Sequence, residues 1–105
     1  MTGISRYLNG SELKAKNILN DLGWNPIRTR YFDYKSSYGI PDFVCNNKKF
    51  VEVKKVTRGS GDIIFHIGQL KKIKRLNKKG NKTYIMIFSD DLNKYDMFEI
   101  KHIKI

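Results

Sequence analysis

Residues 40–56, IPDFVCNNKKFVEVKKV, contain two runs of β-forming side chains on either side of the polar tripeptide Asn46-Asn47-Lys48. Two such runs around a short polar turn are typical of a β-hairpin. If the turn has three residues, Asp42 lies directly opposite Glu52, and both side chains project from the same face. A two-residue turn would instead turn Asp42 to the other face, so this expectation depends on the register.

The hairpin lies within an order of helix, strands, helix and strands. Apolar residues at helical spacing predict helices over residues 11–22 and about 67–79. A helix between two strands favours a parallel βαβ crossover. The predicted fold class is α/β, a small mixed sheet flanked by helices. The predicted strands are 27–31, 42–45, 50–56, 63–65, 83–89 and 95–105. Each predicted helix also has a row of apolar residues that we expect to be buried. These residues are Ala15, Ile18, Leu19 and Leu22 on the first helix and Ile67, Leu70, Ile73 and Leu76 on the second.

Length and composition limit the class of protein. A chain of 105 residues predicts one domain over residues 1–105. No apolar run approaches the ~20 residues that cross a bilayer, and the first ten residues lack a signal-peptide core, so neither a membrane span nor export is expected. The single cysteine, Cys45, excludes an internal disulfide. The expected compartment is the reducing cytoplasm.

Charge is the first indication of a partner. Lys and Arg total 21 against 10 Asp and Glu, which gives a net charge of +11. This excess favours a polyanionic partner, and nucleic acid is the common one, because neutralised phosphates release counterions. A generic lysine-rich surface is the simpler explanation. An anionic membrane surface is less favoured, because no predicted helix pairs a basic face with an aromatic one.

Three residues of the hairpin form a chemically unusual group. Glu52 and Lys54 are two apart on one strand, so they share a face about 7 Å apart. Under the three-residue turn, Asp42 joins them. Two facing carboxylates in a basic protein predict a hard cation such as Mg²⁺ between them, and Lys54 could position water or stabilise charge on a phosphodiester. The simpler explanation is a Glu–Lys pair on the surface of a sheet.

Pro41-Asp42, nine residues, and then Glu52-Val53-Lys54 resemble the PD-(D/E)xK nuclease motif. The sequence is most similar to archaeal Holliday-junction resolvases and to stand-alone virus-type replication-repair nucleases. The resemblance implies a restriction-endonuclease-like αβββαβ core. It also implies an endodeoxyribonuclease that uses Mg²⁺, with Mn²⁺ as a substitute, and that cuts branched DNA such as four-way junctions during recombination and repair. Asp42, Glu52 and the backbone carbonyl of Val53 would bind the metal ion, and Lys54 would work with the attacking water.

Two further residues match the resemblance on the helices. Glu12 matches an acid on the first helix that completes the metal shell. It also stands three residues after Asn9, which is the spacing of a capping box. Gln69 matches a glutamine that contacts phosphate or water. Because Gln69 shares a helical side with Ile73, it is expected to lean over the sheet, although an ordinary helical glutamine would look the same.

Several basic and hydroxyl side chains are predicted to contact DNA. Two arginines alternate on the first predicted strand, one lysine lies at the end of the hairpin, and two lysines lie on the second helix, where they could contact phosphate. The serines lie in a loop that, by the resemblance, approaches the cut strand, although serines are common in loops. The predicted DNA-binding residues are Arg28, Arg30, Ser36, Ser37, Lys55, Lys71 and Lys72.

The resemblance also implies a homodimer, because paired nicks need two active sites and this chain supplies one. The apolar segments 84–88 and 97–105 are the predicted dimer face. Two other functions remain open. One is a restriction or homing endonuclease of the same fold, and the other is a non-catalytic, basic nucleic-acid-binding protein.

Overall fold

The computed structural model describes residues 10–29 and 41–104. Three predicted DNA-binding residues, Arg30, Ser36 and Ser37, lie outside these ranges. The elements within them are α1 (Gly10–Asp21), β1 (Ile27–Arg28), β2 (Phe43–Cys45), a 3₁₀ turn (Asn46–Lys48), β3 (Lys49–Lys55), α2 (Ile67–Lys78), β4 (Lys82–Phe88) and β5 (Tyr95–Ile100).

The five strands form one mixed sheet in the order β1-β2-β3-β4-β5. Strands β3 and β4 run parallel and are joined by α2, which confirms the predicted βαβ connection. The other neighbouring pairs are antiparallel. The predicted fold class, a small mixed sheet with helices, is therefore confirmed.

The register of the β2–β3 hairpin is the one expected for a three-residue turn. Cys45 pairs with Lys49, and Phe43 pairs with Val51. Asn46–Lys48 forms a single 3₁₀ turn, and Lys48 has a positive φ of 58°. Asp42 immediately precedes β2, so the same register brings it to the level of Glu52, one residue beyond the last pair.

The two helices lie on opposite faces of the sheet. Ala15 and Leu19 of α1 belong to a buried cluster with Val51 and Val53 of β3. Gln69 of α2 instead contacts Glu52. Because successive strand residues point to opposite faces, α1 and α2 cover different sides of β3.

The structure differs from the predicted packing at three points. Leu22 is exposed because α1 ends at Asp21 and the chain turns at Gly23, whose φ is +79°. Ile67 is exposed as the first residue of α2. Residues 63–65 form no strand. They lie between β3 and α2, and both neighbours of β3 in the sheet are already occupied by β2 and β4.

The predicted dimer face is also partly wrong. Strand β4, which contains residues 84–88, lies between β3 and β5, and Ile85, Met86 and Phe88 are buried within one chain. Among the described residues, β5 is the edge strand on the β4 side of the sheet, and its Tyr95 and Phe98 are exposed. Within the described residues, neither helix is long and apolar enough to cross a membrane.

Candidate active site

The hairpin brings two buried carboxyl groups into contact. Asp42 is 8% exposed and Glu52 is 2% exposed. The two carboxyl groups are close enough that Asp42 raises the pKa of Glu52. The second oxygen of Asp42, Oδ2, accepts a hydrogen bond from the backbone N–H of Val53 at 2.8 Å. Asp42 is therefore fixed to β3 by its side chain at the point where the backbone pairing of β2 ends.

Glu52 is the strongly perturbed titratable group of this pair. Its burial raises its pKa to about 9, and the charge of Asp42 and the hydrogen bond to Asp42 act in the same direction. The positive charges of Lys54 and Arg28 oppose this increase. Two carboxylates in contact cannot both ionise at low cost, so Glu52 carries a proton at neutral pH unless a cation replaces it.

Arg28 lies inside this group and not on the surface. Its Nη1 donates to Asp42 Oδ1 and to the Asp42 carbonyl oxygen, each at 2.9 Å. Its other terminal nitrogen is paired with Glu12. The side chain of Arg28 is 2% exposed, so the prediction that it contacts DNA phosphate is wrong for this structure. A buried guanidinium needs carboxylate partners, and Arg28 has two.

Glu12 is buried on α1, as its place beside the apolar stripe predicts. It pairs with Arg28, and Arg28 pairs with Asp42. Arg28 thus stands between Glu12 and Asp42. This arrangement makes Glu12 a partner of the arginine, where the resemblance implied a third ligand of a metal ion.

Lys54 is held by Gln69 on the α2 side of the sheet. Lys54 Nζ donates to Gln69 Oε1 at 3.0 Å, and the backbone N–H of His66 donates to the same oxygen at 3.0 Å. Gln69 Nε2 points to Glu52 Oε2 at 3.5 Å. The expectation that Gln69 leans over the sheet is confirmed, and its amide links the lysine to the carboxyl pair.

Two contributors were not predicted from the sequence. The ring of Phe65 lies beneath the Lys54 ammonium, 4.5 Å from Nζ to the ring centroid, as in a cation–π contact. The hydroxyl of Thr29 donates to the Pro41 carbonyl oxygen at 2.7 Å and so fixes the residue before Asp42. No pattern in the sequence indicates that Phe65 contacts Lys54. For Thr29, the one indication in the sequence is its position immediately after β1.

The described DNA-binding candidates on the surface are lysines. Lys55 and Lys71 are exposed, and Lys72 is half-buried. Lys55 follows Lys54 on β3, and the other two lie on α2 just after Gln69. These three lysines are therefore close in sequence to Lys54 or Gln69, and Lys55 and Lys71 are open to solvent.

Two side chains of the site, Asp42 and Glu52, carry oxygen ligands of the kind that a hard divalent cation binds. The carboxyl groups of Asp42 and Glu52 are in contact, and such cations take one or two carboxylates together with water and substrate phosphate. The N–H of Val53 points to Asp42, and a strand residue directs its carbonyl to the same side as its N–H. Among residues 10–29 and 41–104, no three His, Cys, Asp or Glu side chains form a metal-binding group.

Comparisons with known proteins add no family. No protein-family model, no curated protein and no solved structure matches this chain.

Proposed function

We propose that this protein is a metal-dependent endonuclease that cleaves DNA phosphodiester bonds, with a preference for branched DNA such as four-way junctions. One observation carries the proposal. The carboxyl groups of Asp42 and Glu52 interact beside the hairpin, and Gln69 joins Glu52 to Lys54. Two carboxyl groups that can hold a metal ion, together with a nearby lysine, can support hydrolysis of a phosphodiester, and the chain has a net charge of +11.

Asp42, Glu52 and the Val53 carbonyl would hold Mg²⁺, or Mn²⁺ in its place. When bound, the ion supplies an activated water and positive charge beside the phosphate. Arg28 fixes the Asp42 carboxylate in one orientation through Oδ1. A divalent cation would replace the proton that Glu52 otherwise holds, which relieves the cost of placing two carboxyl groups side by side.

Lys54 would supply a fixed positive charge. Its Nζ is anchored on one side by Gln69 Oε1 and lies over the ring of Phe65. A lysine held in this way loses little further freedom when it meets a phosphate oxygen or an attacking water, so its charge is already positioned for the transition state. The amide of Gln69 orients Lys54 and Glu52 relative to each other.

Charge supports DNA as the substrate. Lys55 and Lys71 are exposed, and they follow Lys54 and Gln69 closely in the sequence. If about six phosphates are contacted, affinity should fall ~10³-fold between about 50 and 200 mM salt. We include in the proposal a homodimer, since paired nicks need two sites, and a cytoplasmic location, since the single cysteine, Cys45, is a free buried thiol.

The decisive experiment incubates the purified protein with four-way junction, flap and linear duplex DNA, with and without Mg²⁺. We expect cleavage only with the metal ion and fastest on the branched substrates. Asp42→Asn should remove cleavage and keep DNA binding, because asparagine retains an oxygen for Arg28 or Val53 but removes the charge. Asp96→Asn is the matched control, since Asp96 is an exposed acid on β5.

The outcomes separate the possible functions. Cleavage of linear duplex at one sequence would favour a restriction or homing enzyme of the same fold. Tight binding with no cleavage under Mg²⁺ or Mn²⁺ would refute the nuclease and leave a basic nucleic-acid-binding protein.

A further inference from the structure

A cleft with a volume of about 430 Å³ lies between the C-terminal half of α2 and the segment after β5. Its two walls are tied together by Asn77, whose Nδ2 donates to the Ile100 carbonyl oxygen at 3.0 Å. The cleft is lined by Lys74, Asn77, Lys78, Lys101, His102, Ile103 and Lys104.

The lining of the cleft is strongly basic. Four of its residues are lysines, and none is acidic. Lys78, Lys101 and Lys104 are exposed, and within the described parts of the chain the ion pairs involve Arg28 and none of these lysines. A concave surface that carries one sign of charge concentrates its field and attracts the opposite charge. The chemistry that fits this cleft is a phosphate group.

The cleft and the candidate active site lie near opposite ends of α2. Gln69 contacts Glu52 near the beginning of α2, and Lys78 is the last residue of the same helix. Nine residues of α-helix span about 14 Å. That length equals about four base pairs of B-DNA at roughly 3.4 Å each.

The geometry points to this cleft as a second binding site for the phosphate backbone of the DNA substrate, about four base pairs from the phosphate at the carboxyl pair. This inference rests on the proposed function for the identity of its ligand. Lysines bind phosphates without reading bases, so the cleft would contribute affinity and orientation and no sequence preference. It would hold one arm of the DNA along α2 while the reacting phosphate lies at Asp42 and Glu52.

The test measures DNA binding by fluorescence anisotropy over a range of salt concentrations, without Mg²⁺, so that it does not depend on cleavage. The cleft variant is Lys78→Gln/Lys101→Gln. The matched control is Lys48→Gln/Lys94→Gln, which removes the same charge from two exposed lysines outside the cleft. The cleft variant should lower the slope of log K against log salt by about two units, whereas the control should leave the slope unchanged.

Two further arms identify the ligand. Inorganic phosphate, added at the same ionic strength as a chloride control, should compete for the cleft and reduce the difference in DNA affinity between the wild type and the cleft variant. If inorganic phosphate binds the wild type and not the cleft variant while the two proteins bind DNA with equal affinity and slope, the cleft is a small-anion site and the inference is overturned. Equal slopes for the cleft and control variants would also overturn it. A wild-type protein that shows the cleft effect and cleaves nothing with Mg²⁺ would instead refute the proposed nuclease and keep the second DNA site.

Discussion

Gln69 and Lys54 are fifteen residues apart in the chain and are joined by a 3.0 Å hydrogen bond from Lys54 Nζ to Gln69 Oε1. That oxygen also accepts the backbone N–H of His66, the residue that precedes α2. One side chain therefore stabilises the beginning of a helix and anchors a lysine of the sheet. The two roles can be separated by substitution.

Gln69→Ala should slow single-turnover cleavage and lower stability by about 1 kcal/mol, because it removes an acceptor used by His66 and Lys54. Gln69→Glu keeps the acceptor oxygen but loses the N–H group that faces Glu52, and it adds a negative charge. It should retain the stability and remain slow in cleavage. If both variants cleave at the wild-type rate, Gln69 is only a capping residue.

Lys54→Met should reduce cleavage by about 10²–10³-fold, the usual cost of removing one group that stabilises charge in a transition state. Binding of uncleaved DNA should change little, since one partly buried ammonium is lost. The measurement is cleavage at saturating DNA together with affinity in the absence of Mg²⁺. Lys82→Met, at an exposed lysine of β4, is the control. Equal rates for the two variants would remove Lys54 from the proposed site.

Glu52→Gln should stabilise the protein at pH 8 and have little effect at pH 5. The pKa of Glu52 is raised from 4.5 to about 9 in the folded state. Between these values the folded state binds more protons than the unfolded state, so the contribution of Glu52 to stability is present at low pH and is lost as pH rises. We expect a gain on the order of 1 kcal/mol or more, roughly 4–8 °C in Tm for a domain of this size.

Thermal unfolding at both pH values, with and without Mg²⁺, checks this prediction. If the metal ion takes the place of the proton, Mg²⁺ should raise the Tm of the wild type at pH 8 and leave Glu52→Gln nearly unchanged. A variant that melts below the wild type at pH 8 would contradict the predicted sign.

Arg28→Met should cost about 3–5 kcal/mol, because it leaves the carboxylates of Glu12 and Asp42 buried without their partner. The measurement is the free energy of unfolding in denaturant. The control is Arg58→Met at an exposed position, which should change this free energy by no more than about 0.5 kcal/mol. Unchanged stability together with a lower salt slope for DNA binding would instead show that Arg28 contacts phosphate.

Lys71→Gln/Lys72→Gln should weaken DNA binding and lower the salt slope by about one unit for each lost phosphate contact. The rate of cleavage at saturating DNA should stay near the wild-type value, since neither lysine contacts the carboxyl pair. The slope of log K against log salt is measured by anisotropy titrations at several salt concentrations, with the Lys48→Gln/Lys94→Gln variant as the control. A slope equal to that of the control would place both lysines outside the interface.

The sequence predicted the hairpin well because its register depends on local chemistry. A three-residue polar turn between two β-rich runs was enough to predict the register that brings Asp42 close to Glu52. Gln69 could also be placed, since helical spacing puts it on the side of Ile73. Both inferences use only the periodicity of one or two adjacent elements.

Arg28 could not be placed in this way. Its burial depends on Glu12 of α1 and on Asp42 of β2, so three separate elements decide it. A charged residue on a short strand looks the same in sequence whether it faces solvent or two buried acids. Phe65 was missed for a similar reason, because an irregular segment has no periodicity and its contact with Lys54 is tertiary.

The bond between the Asp42 carboxylate and the N–H of Val53 provides a local probe of the site. In most of a sheet, exchange of an amide hydrogen with solvent reports on the opening of backbone pairing, but here the partner is the side chain of a proposed ligand. A movement of the Asp42 carboxylate away from β3 releases this hydrogen, whereas a movement of the Glu52 side chain alone does not. The exchange rate of one backbone amide could therefore follow the state of Asp42 in the intact protein, without DNA and without turnover.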